Sequence, residues 1–392
     1  MDKDVYASFA RELEDLDAKG LKRRLVLVEK RKGPWIRIGK RWYLNLASND
    51  YLGLAQKGLD LEADDSLGLG AGASRLLAGN HRWYKELEDT LEDLYNRPAL
   101  VFGSGYLANT GVVSALVGKQ DAVFADKLVH ASLIDGIRLS RATLYRFPHH
   151  DLDSLAWLLK KKRALHRRAL IITESLFSMD GDIPDLPTLI ALKEEYKALL
   201  LLDEAHAVGV FGPKGLGIAE ELGLKAKVDL LVGTFGKALG SYGAFVITNK
   251  ILQEYLLHRA RSFIFSTALP TIVVARSLWG LKRAVMAQKE RTHLRHLATK
   301  LRKHLRTIGL KVPSKGLASQ SPIVPVIVGS NQAALKLARD LYQKGFFAPA
   351  IRPPTVPPHT ARIRLSLTSD MDWDNLAPVI EIFKGQLKYS SP

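Results

Sequence analysis

Short, nearly continuous apolar runs recur through the middle of the chain: Ala99–Phe102, Ala122–Ala125, Leu170–Thr173, Leu199–Asp203, Leu230–Thr234 and Gly243–Thr248. Gly, Asp or Ser bounds them, and stretches with helical spacing separate them. Strands apolar on both faces must be covered on both faces, so the pattern predicts a mainly parallel central sheet with helices on each side. Functional side chains in such a sheet gather at strand ends. Upstream, Arg11 to Glu29 reads as a basic amphipathic helix, and Gly33-Pro34 as a turn into a short hairpin over Trp35 to Leu46. Beyond Pro270 a long helical region, with Leu294, Leu297, Leu301 and Leu305 at helical spacing, gives way to strand-like Ile323–Val328 and Ala361–Leu367. The expected organisation is an N-terminal arm (1–45), a large α/β domain (46–270) and a smaller C-terminal α+β domain (271–392).

Composition narrows the chemistry. No apolar run approaches the roughly 20 residues that cross a bilayer, and the start, Met1-Asp2-Lys3-Asp4, lacks a signal peptide's order. A cytoplasmic location and no membrane partner are therefore expected. Zero cysteines exclude disulfides, thiolate metal sites, iron–sulfur clusters and a cysteine nucleophile, and no other metal-ligand pattern stands out. The formal charge of +17 calls for an anionic partner, with nucleic acid the first candidate to weigh. The basic residues are dispersed, however, densest in Lys160-Lys161-Lys162-Arg163 with Arg167-Arg168 and between Lys282 and Arg306. No zinc-finger, RNA-recognition or basic-zipper pattern accompanies them, so solvated helix faces and no nucleic acid are the expectation, with nucleic-acid binding the alternative.

Three strand ends carry the chemistry. Asp203 closes the run Leu199-Leu200-Leu201-Leu202 and is followed by Glu204-Ala205-His206, so a carboxylate and an imidazole emerge together. Lys237 follows another apolar strand in Thr234-Phe235-Gly236-Lys237. Ser104-Gly105-Tyr106 opens a helical run, Leu107 to Leu116, whose N-terminal N–H groups suit a phosphate. Each feature alone is ordinary: a strand-end lysine is often solvated, an aspartate caps helices or binds metals, and Ser-Gly makes turns. Together they supply an amine for an imine, a carboxylate for a pyridinium nitrogen and an anion pocket, which are the needs of pyridoxal 5'-phosphate. Gly68-Leu69-Gly70-Ala71-Gly72 invites a dinucleotide reading, but no convincing strand precedes it. His130 and Ser178 also follow strand-like units and come within plausible reach of the same cleft, although a lone histidine and a polar turn are commonly structural.

The wording and order of these motifs identify a family. Asn49-Asp50-Tyr51-Leu52-Gly53, the glycine-rich Gly70 to Asn80, Ser104-Gly105-Tyr106, His130-Ala131-Ser132-Leu133, Phe177-Ser178-Met179-Asp180-Gly181-Asp182, Asp203-Glu204-Ala205-His206 and Thr234-Phe235-Gly236-Lys237 resemble the α-oxoamine synthases over nearly the whole chain. The resemblance implies the aminotransferase-like fold type I of pyridoxal-phosphate enzymes. It also implies a homodimer with sites at its interface, and condensation of an amino acid with an acyl thioester with loss of CO2. It makes Lys237 the Schiff-base lysine, Asp203 the pyridinium partner and His130 the ring-stacking residue. His206 and Ser178 would lie at the phenolic oxygen, and Gly105, Tyr106 and Thr234 would help hold the cofactor. Ser266 or Thr267 would reach its phosphate from the other subunit. Arg364 would pair with the amino-acid carboxylate near Asn49, and Thr355 and Arg23 would touch substrate.

Within the family, Ala350-Ile351-Arg352-Pro353-Pro354-Thr355-Val356-Pro357 and Thr360-Ala361-Arg362-Ile363-Arg364-Leu365 are most similar to the biotin-synthesis branch. That implies L-alanine and a pimeloyl thioester, either pimeloyl-CoA or pimeloyl-acyl carrier protein. Branches using glycine or serine match less well. Three departures stand out: a short stretch between Gly53 and Gly68, Ala207-Val208 after His206, and Pro358-His359 where x-Gly is usual.

Overall fold

The computed structural model describes residues 5–58 and 67–388. The chain forms two compact units, one of residues 1–49, 179–181 and 293–392 and one of residues 50–178 and 182–292. Residues 59–66, within the shortened stretch after Gly53, and Met1-Asp2-Lys3-Asp4 lie outside the described residues.

In the first unit, helix Ala7–Ala18 precedes an antiparallel meander of β1 (Lys30–Lys32), β2 (Trp35–Ile38) and β3 (Arg41–Asn45). The helix is earlier and shorter than the one expected over Arg11 to Glu29. Gly20 ends it in the left-handed region, at φ +63°, with its N–H on the Asp17 carbonyl and the Leu21 N–H on that of Leu16. Leucines at helical spacing continue past this stop, but Leu25 and Leu27 are exposed, and no packed face there sustains a helix.

The second unit is built on seven strands: β4 (Ala99–Phe102), β5 (Ala122–Asp126), β6 (Thr143–Phe147), β7 (Ala169–Glu174), β8 (Leu199–Asp203), β9 (Leu230–Thr234) and β10 (Ala244–Ile247). Their order is β4-β10-β9-β8-β7-β5-β6. Neighbours from β9 through β6 are parallel, and only β10 runs antiparallel, to both β4 and β9. Every residue of β4, β5, β7 and β10 is buried, as a sheet covered on both faces requires. One apolar cluster joins Leu170, Ile172, Leu201 and Val232 of the strands to Val112, Val113, Leu133 and Ile137 of helices Gly105–Leu116 and Ala131–Ser140. Those two helices approach closely at Gly136, where a Cβ would stand 3.0 Å from that of Val113 and 3.1 Å from the Asn109 carbonyl. The strand directions set the carboxyl ends of β4, β5, β7, β8 and β9 along one edge, so Gly103, Lys127, Ser175, Glu204 and Phe235 begin the loops there.

The chain completes the first unit with β11 (Ile323–Gly329), β12 (Phe346–Phe347), β13 (Ala350–Ile351) and β14 (Ala361–Ser366). β12 adds in parallel to β3, and β11-β14-β13 form an antiparallel sheet. Helix Gln288–Thr307 buries Leu294, Leu297, Leu301 and Leu305. It also buries Arg302, which donates to the carbonyls of Ser321 at 2.6 Å and Ile323 at 2.5 Å, and whose desolvation pushes its pKa down to about 9. Among the described residues, no helix is long and apolar enough to cross a membrane.

Candidate active site

The sheet edge holds a cavity of about 190 Å³ lined by Gly105, Tyr106, Asn109, His130, Ser132, Glu174, Asp203, Ala205, His206, Thr234 and Lys237. Ser104 caps helix Gly105–Leu116, accepting the Leu107 N–H at 3.2 Å, which leaves the first N–H groups of the helix aimed outward beside the cavity. His130 holds the same position for helix Ala131–Ser140, and its Nδ1 lies 2.8 Å from the Ser132 hydroxyl. Thr234 ends β9 and turns its hydroxyl back to the Gly243 carbonyl at 2.9 Å, placing half-buried Lys237 in the turn beyond.

Asp203 is 6% exposed, accepting the Asn109 side-chain N–H at 2.8 Å and the Ala205 N–H at 2.9 Å. Buried His206 meets the Tyr51 hydroxyl at 2.7 Å through Nδ1. Desolvation lowers the pKa of His130 from its ordinary value; Asp203 pulls it back, and Lys237 adds to the lowering. Neutral imidazole is therefore the favoured form there, suited to lie against an aromatic cation's face. Next to this group, Glu174 is 4% exposed and its Oε1 has no hydrogen-bond partner among the described residues, while burial first and Asp203 second push its pKa up to about 8. The cavity thus gathers an amine, a carboxylate, two imidazoles and a helix N-terminus.

Of the residues expected from sequence, Gly105, Tyr106, His130, Asp203, His206, Thr234 and Lys237 share this lining; Ser178 and Thr267 do not. Ser178 sits half-buried in the turn after β7, and Thr267 is exposed, paired in an isolated β-bridge with Ser74. In the other unit, Arg364 is 7% exposed and donates to Asn49 Oδ1 at 3.2 Å and to the Ser366 hydroxyl at 2.7 Å. Arg23 and Thr355, both exposed, meet at 3.3 Å. Ala207 and Val208 are buried, and His359 takes φ +64°, a conformation natural to the glycine usual there. Sequence reasoning assigned no role to Asn109 or Glu174. The signal for Asn109 is a lone amide in an otherwise apolar helix; for Glu174, a carboxylate closing a buried strand.

The loop bearing Ser178 is held by His149. Its Nδ1 lies 2.9 Å from Asp126 at the end of β5, its Nε2 lies 3.0 Å from Asp182, and its ring stands edge-on to Phe177 at 4.5 Å. His149, His150 and Asp182 have metal-ligand chemistry and proximity, but both His149 nitrogens already face carboxylates. Burial alone would lower the His149 pKa; Asp126 and Asp182 outweigh it and push it up to about 10. A folded pKa above the unfolded 6.5 means that this stabilisation is complete below about pH 6.5 and is lost as pH rises toward 10. His149→Gln should therefore lower the melting temperature most near pH 6, by a few kcal/mol of stability (roughly 3 for a broken, largely buried pair), and the gap should narrow toward pH 10. Parallel melting curves across that range would contradict the ion pair.

A family model described as aminotransferase class I and II matches residues 42–383. An 8-amino-7-oxononanoate synthase from Chlorobaculum parvum is 43% identical over 378 residues, covering 94% of this chain and 95% of its own. A serine palmitoyltransferase from S. paucimobilis, solved with PLP bound, is similar at a TM-score of 0.90 and 29% identity, over 98% of each chain. An 8-amino-7-oxononanoate synthase structure from Francisella tularensis reaches a TM-score of 0.77 at 30% identity, over 88% of this chain and 98% of its own.

Proposed function

The chain belongs to the aminotransferase class I and II family, and from that membership we propose that it condenses L-alanine with a pimeloyl thioester, releasing CO2 and the thiol carrier and forming 8-amino-7-oxononanoate for biotin synthesis. It is a pyridoxal-phosphate-dependent acyl-transferring enzyme of fold type I. The observation that carries this reading is the cavity in which Lys237, Asp203 and the N-terminus of helix Gly105–Leu116 converge.

The residues present fit the cofactor. Lys237 would be the covalent anchor, the helix N-terminus at Gly105 and Tyr106 would take the phosphate, and buried Asp203 would serve the ring nitrogen. His130 would lie against the ring, while His206 and Thr234, with Ser178 from the turn after β7, would help hold it. Bound there, pyridoxal phosphate supplies an electron sink for negative charge developing at the amino acid's α-carbon. The Lys237 amine removes the α-proton and later returns one, as a general base and acid at Nζ. Asp203 keeps a proton on the ring nitrogen by placing an opposite charge beside it. The N–H groups of Gly105 and Tyr106 fix the anionic end, which orients the reacting carbon.

Arg364 is proposed to grip the alanine carboxylate beside Asn49, and Arg23 and Thr355 to contact the pimeloyl thioester, carried by CoA or acyl carrier protein. A homodimer, in which Ser266 or Thr267 reaches the partner's phosphate site, and a cytoplasmic location complete the proposal. The exposure of Thr267 supports that use of the segment.

Arg364→Lys replaces a bidentate fork with a point charge, so the KM for alanine should rise by about tenfold or more, with a smaller change in kcat. Steady-state kinetics at varied alanine decide this: an unchanged KM would give Arg364 another task.

A further inference from the structure

The steps above draw only Asn49 from the run Asn49-Asp50-Tyr51-Leu52-Gly53. Its remaining residues build a compact turn. The carboxylate oxygens of Asp50 accept the N–H groups of Leu54 at 2.9 Å and Ala55 at 3.0 Å, its carbonyl accepts that of Gly53 at 3.0 Å, and Gly53 takes φ +63°. The turn buries Tyr51 at 0% exposure and sets its hydroxyl 2.7 Å from Nδ1 of His206. A tyrosine this deep needs a partner for its hydroxyl, and the imidazole is one.

The same turn abuts the loop that carries Lys237. The Gly240 N–H closes that loop on the Lys237 carbonyl at 3.0 Å, and a Cβ at Gly240 would stand 2.6 Å from the Ala55 nitrogen. One short segment is therefore packed against the loops of two cavity residues, and its single side-chain bond to His206 comes from Tyr51.

A bond at one imidazole nitrogen fixes the ring's orientation and decides which nitrogen carries the proton. His206 is 7% exposed and lines the cavity with Nδ1 on the tyrosine. When the hydroxyl donates to Nδ1, the proton of the neutral ring sits on Nε2. That nitrogen is then a donor, suited to a negatively charged oxygen.

We propose that Tyr51 is a positioning residue: its hydroxyl holds the His206 ring with Nε2 protonated, as a donor to the phenolic oxygen of bound pyridoxal phosphate. The inference rests on the reading that His206 serves that oxygen.

Tyr51→Phe removes one oxygen and keeps the ring that fills the core. The dissociation constant for pyridoxal phosphate should rise about three- to tenfold, the net contribution of one hydrogen bond. With His206 already replaced, in His206→Ala, the same change should alter it by less than about twofold, because the partner through which the hydroxyl acts is gone. The visible absorbance maximum of the bound cofactor, which responds to its phenolic oxygen, should move in Tyr51→Phe and stay in place when that change is added to His206→Ala. Equal losses of affinity in both backgrounds would mean that Tyr51 acts by packing alone, and wild-type affinity in Tyr51→Phe would mean that it positions nothing; either overturns the proposal.

A second cycle needs no cofactor. Melting temperatures of the cofactor-free single and double variants should be non-additive, with Tyr51→Phe lowering stability beside His206 and changing it little in His206→Ala. Additive losses would overturn the bond on which the positioning depends. Failure of wild type to bind pyridoxal phosphate would instead overturn the cofactor reading, a result that the melting cycle does not share.

Discussion

Lys237→Ala should eliminate product formation while leaving the protein folded. The lysine lies in the turn after β9, outside any helix or strand, so its side chain can be removed without touching the backbone ladder of the sheet. Two proposed tasks would disappear with it: the covalent hold on the cofactor and the proton transfer at the α-carbon. General acid–base catalysis alone contributes about 10²–10⁴-fold, and loss of the anchor adds to that, so turnover should fall by roughly 10⁴-fold or more. The visible absorbance that borohydride discharges in the wild type should be missing. The variant should also report on its neighbours: Lys237 lowers the pKa of His130 and that of Glu174, so both should move up in its absence. Turnover within tenfold of wild type, with folding intact, would remove Lys237 from the chemistry.

Asp203→Asn has the next largest effect, and it separates holding the cofactor from activating it. The side chain is 6% exposed, with one oxygen on Asn109 and the other on Ala205. An amide fits the same space, and the buried Oδ1 of Asn109, which has no partner among the described residues, can turn to accept the new N–H. The fold and part of the cofactor affinity should persist. What an amide cannot do is balance a positive charge on the ring nitrogen, so the α-carbon loses its strong electron sink. Exchange of alanine's α-proton with solvent should slow by something on the order of the 10²–10³-fold that one preorganised electrostatic partner contributes. An unchanged exchange rate in a variant that still binds cofactor would contradict the role.

Much of the α/β unit was legible because its strands are buried on both faces. Leu199-Leu200-Leu201-Leu202-Asp203 can be neither a half-solvated strand nor a surface helix, and its bounds as β8 follow from that. Thr143–Phe147 escaped notice because β6 is an edge strand: Thr143 and Arg146 are exposed, and the apolar run never becomes continuous. The arm misled for the opposite reason, since helical spacing persists beyond Gly20 where nothing packs against it. Around the cavity, Asp203, Lys237 and His130 were visible because charged or imidazole groups at the ends of apolar strands need a reason to be there. Asn109 was hidden inside Leu107 to Leu116, where one amide does not disturb the periodicity. Glu174 reads in sequence as one more polar residue after an apolar run, and its register beside Asp203 exists only once β7 and β8 pair. Partnerships of that kind, like His149 between Asp126 and Asp182, depend on contacts between distant segments.

Similarity extends both to 8-amino-7-oxononanoate synthases and to a serine palmitoyltransferase, so the substrate pair is what distinguishes the proposed activity from its nearest alternatives. The decisive measurement incubates the pyridoxal-phosphate-loaded protein with alanine, glycine or serine against pimeloyl, acetyl, succinyl and palmitoyl thioesters, and identifies products by mass. The expected product is 8-amino-7-oxononanoate from alanine and a pimeloyl thioester, with kcat/KM well above that of every other pair. Preferred turnover of glycine with an acetyl or succinyl thioester, or of serine with a palmitoyl thioester, would contradict it.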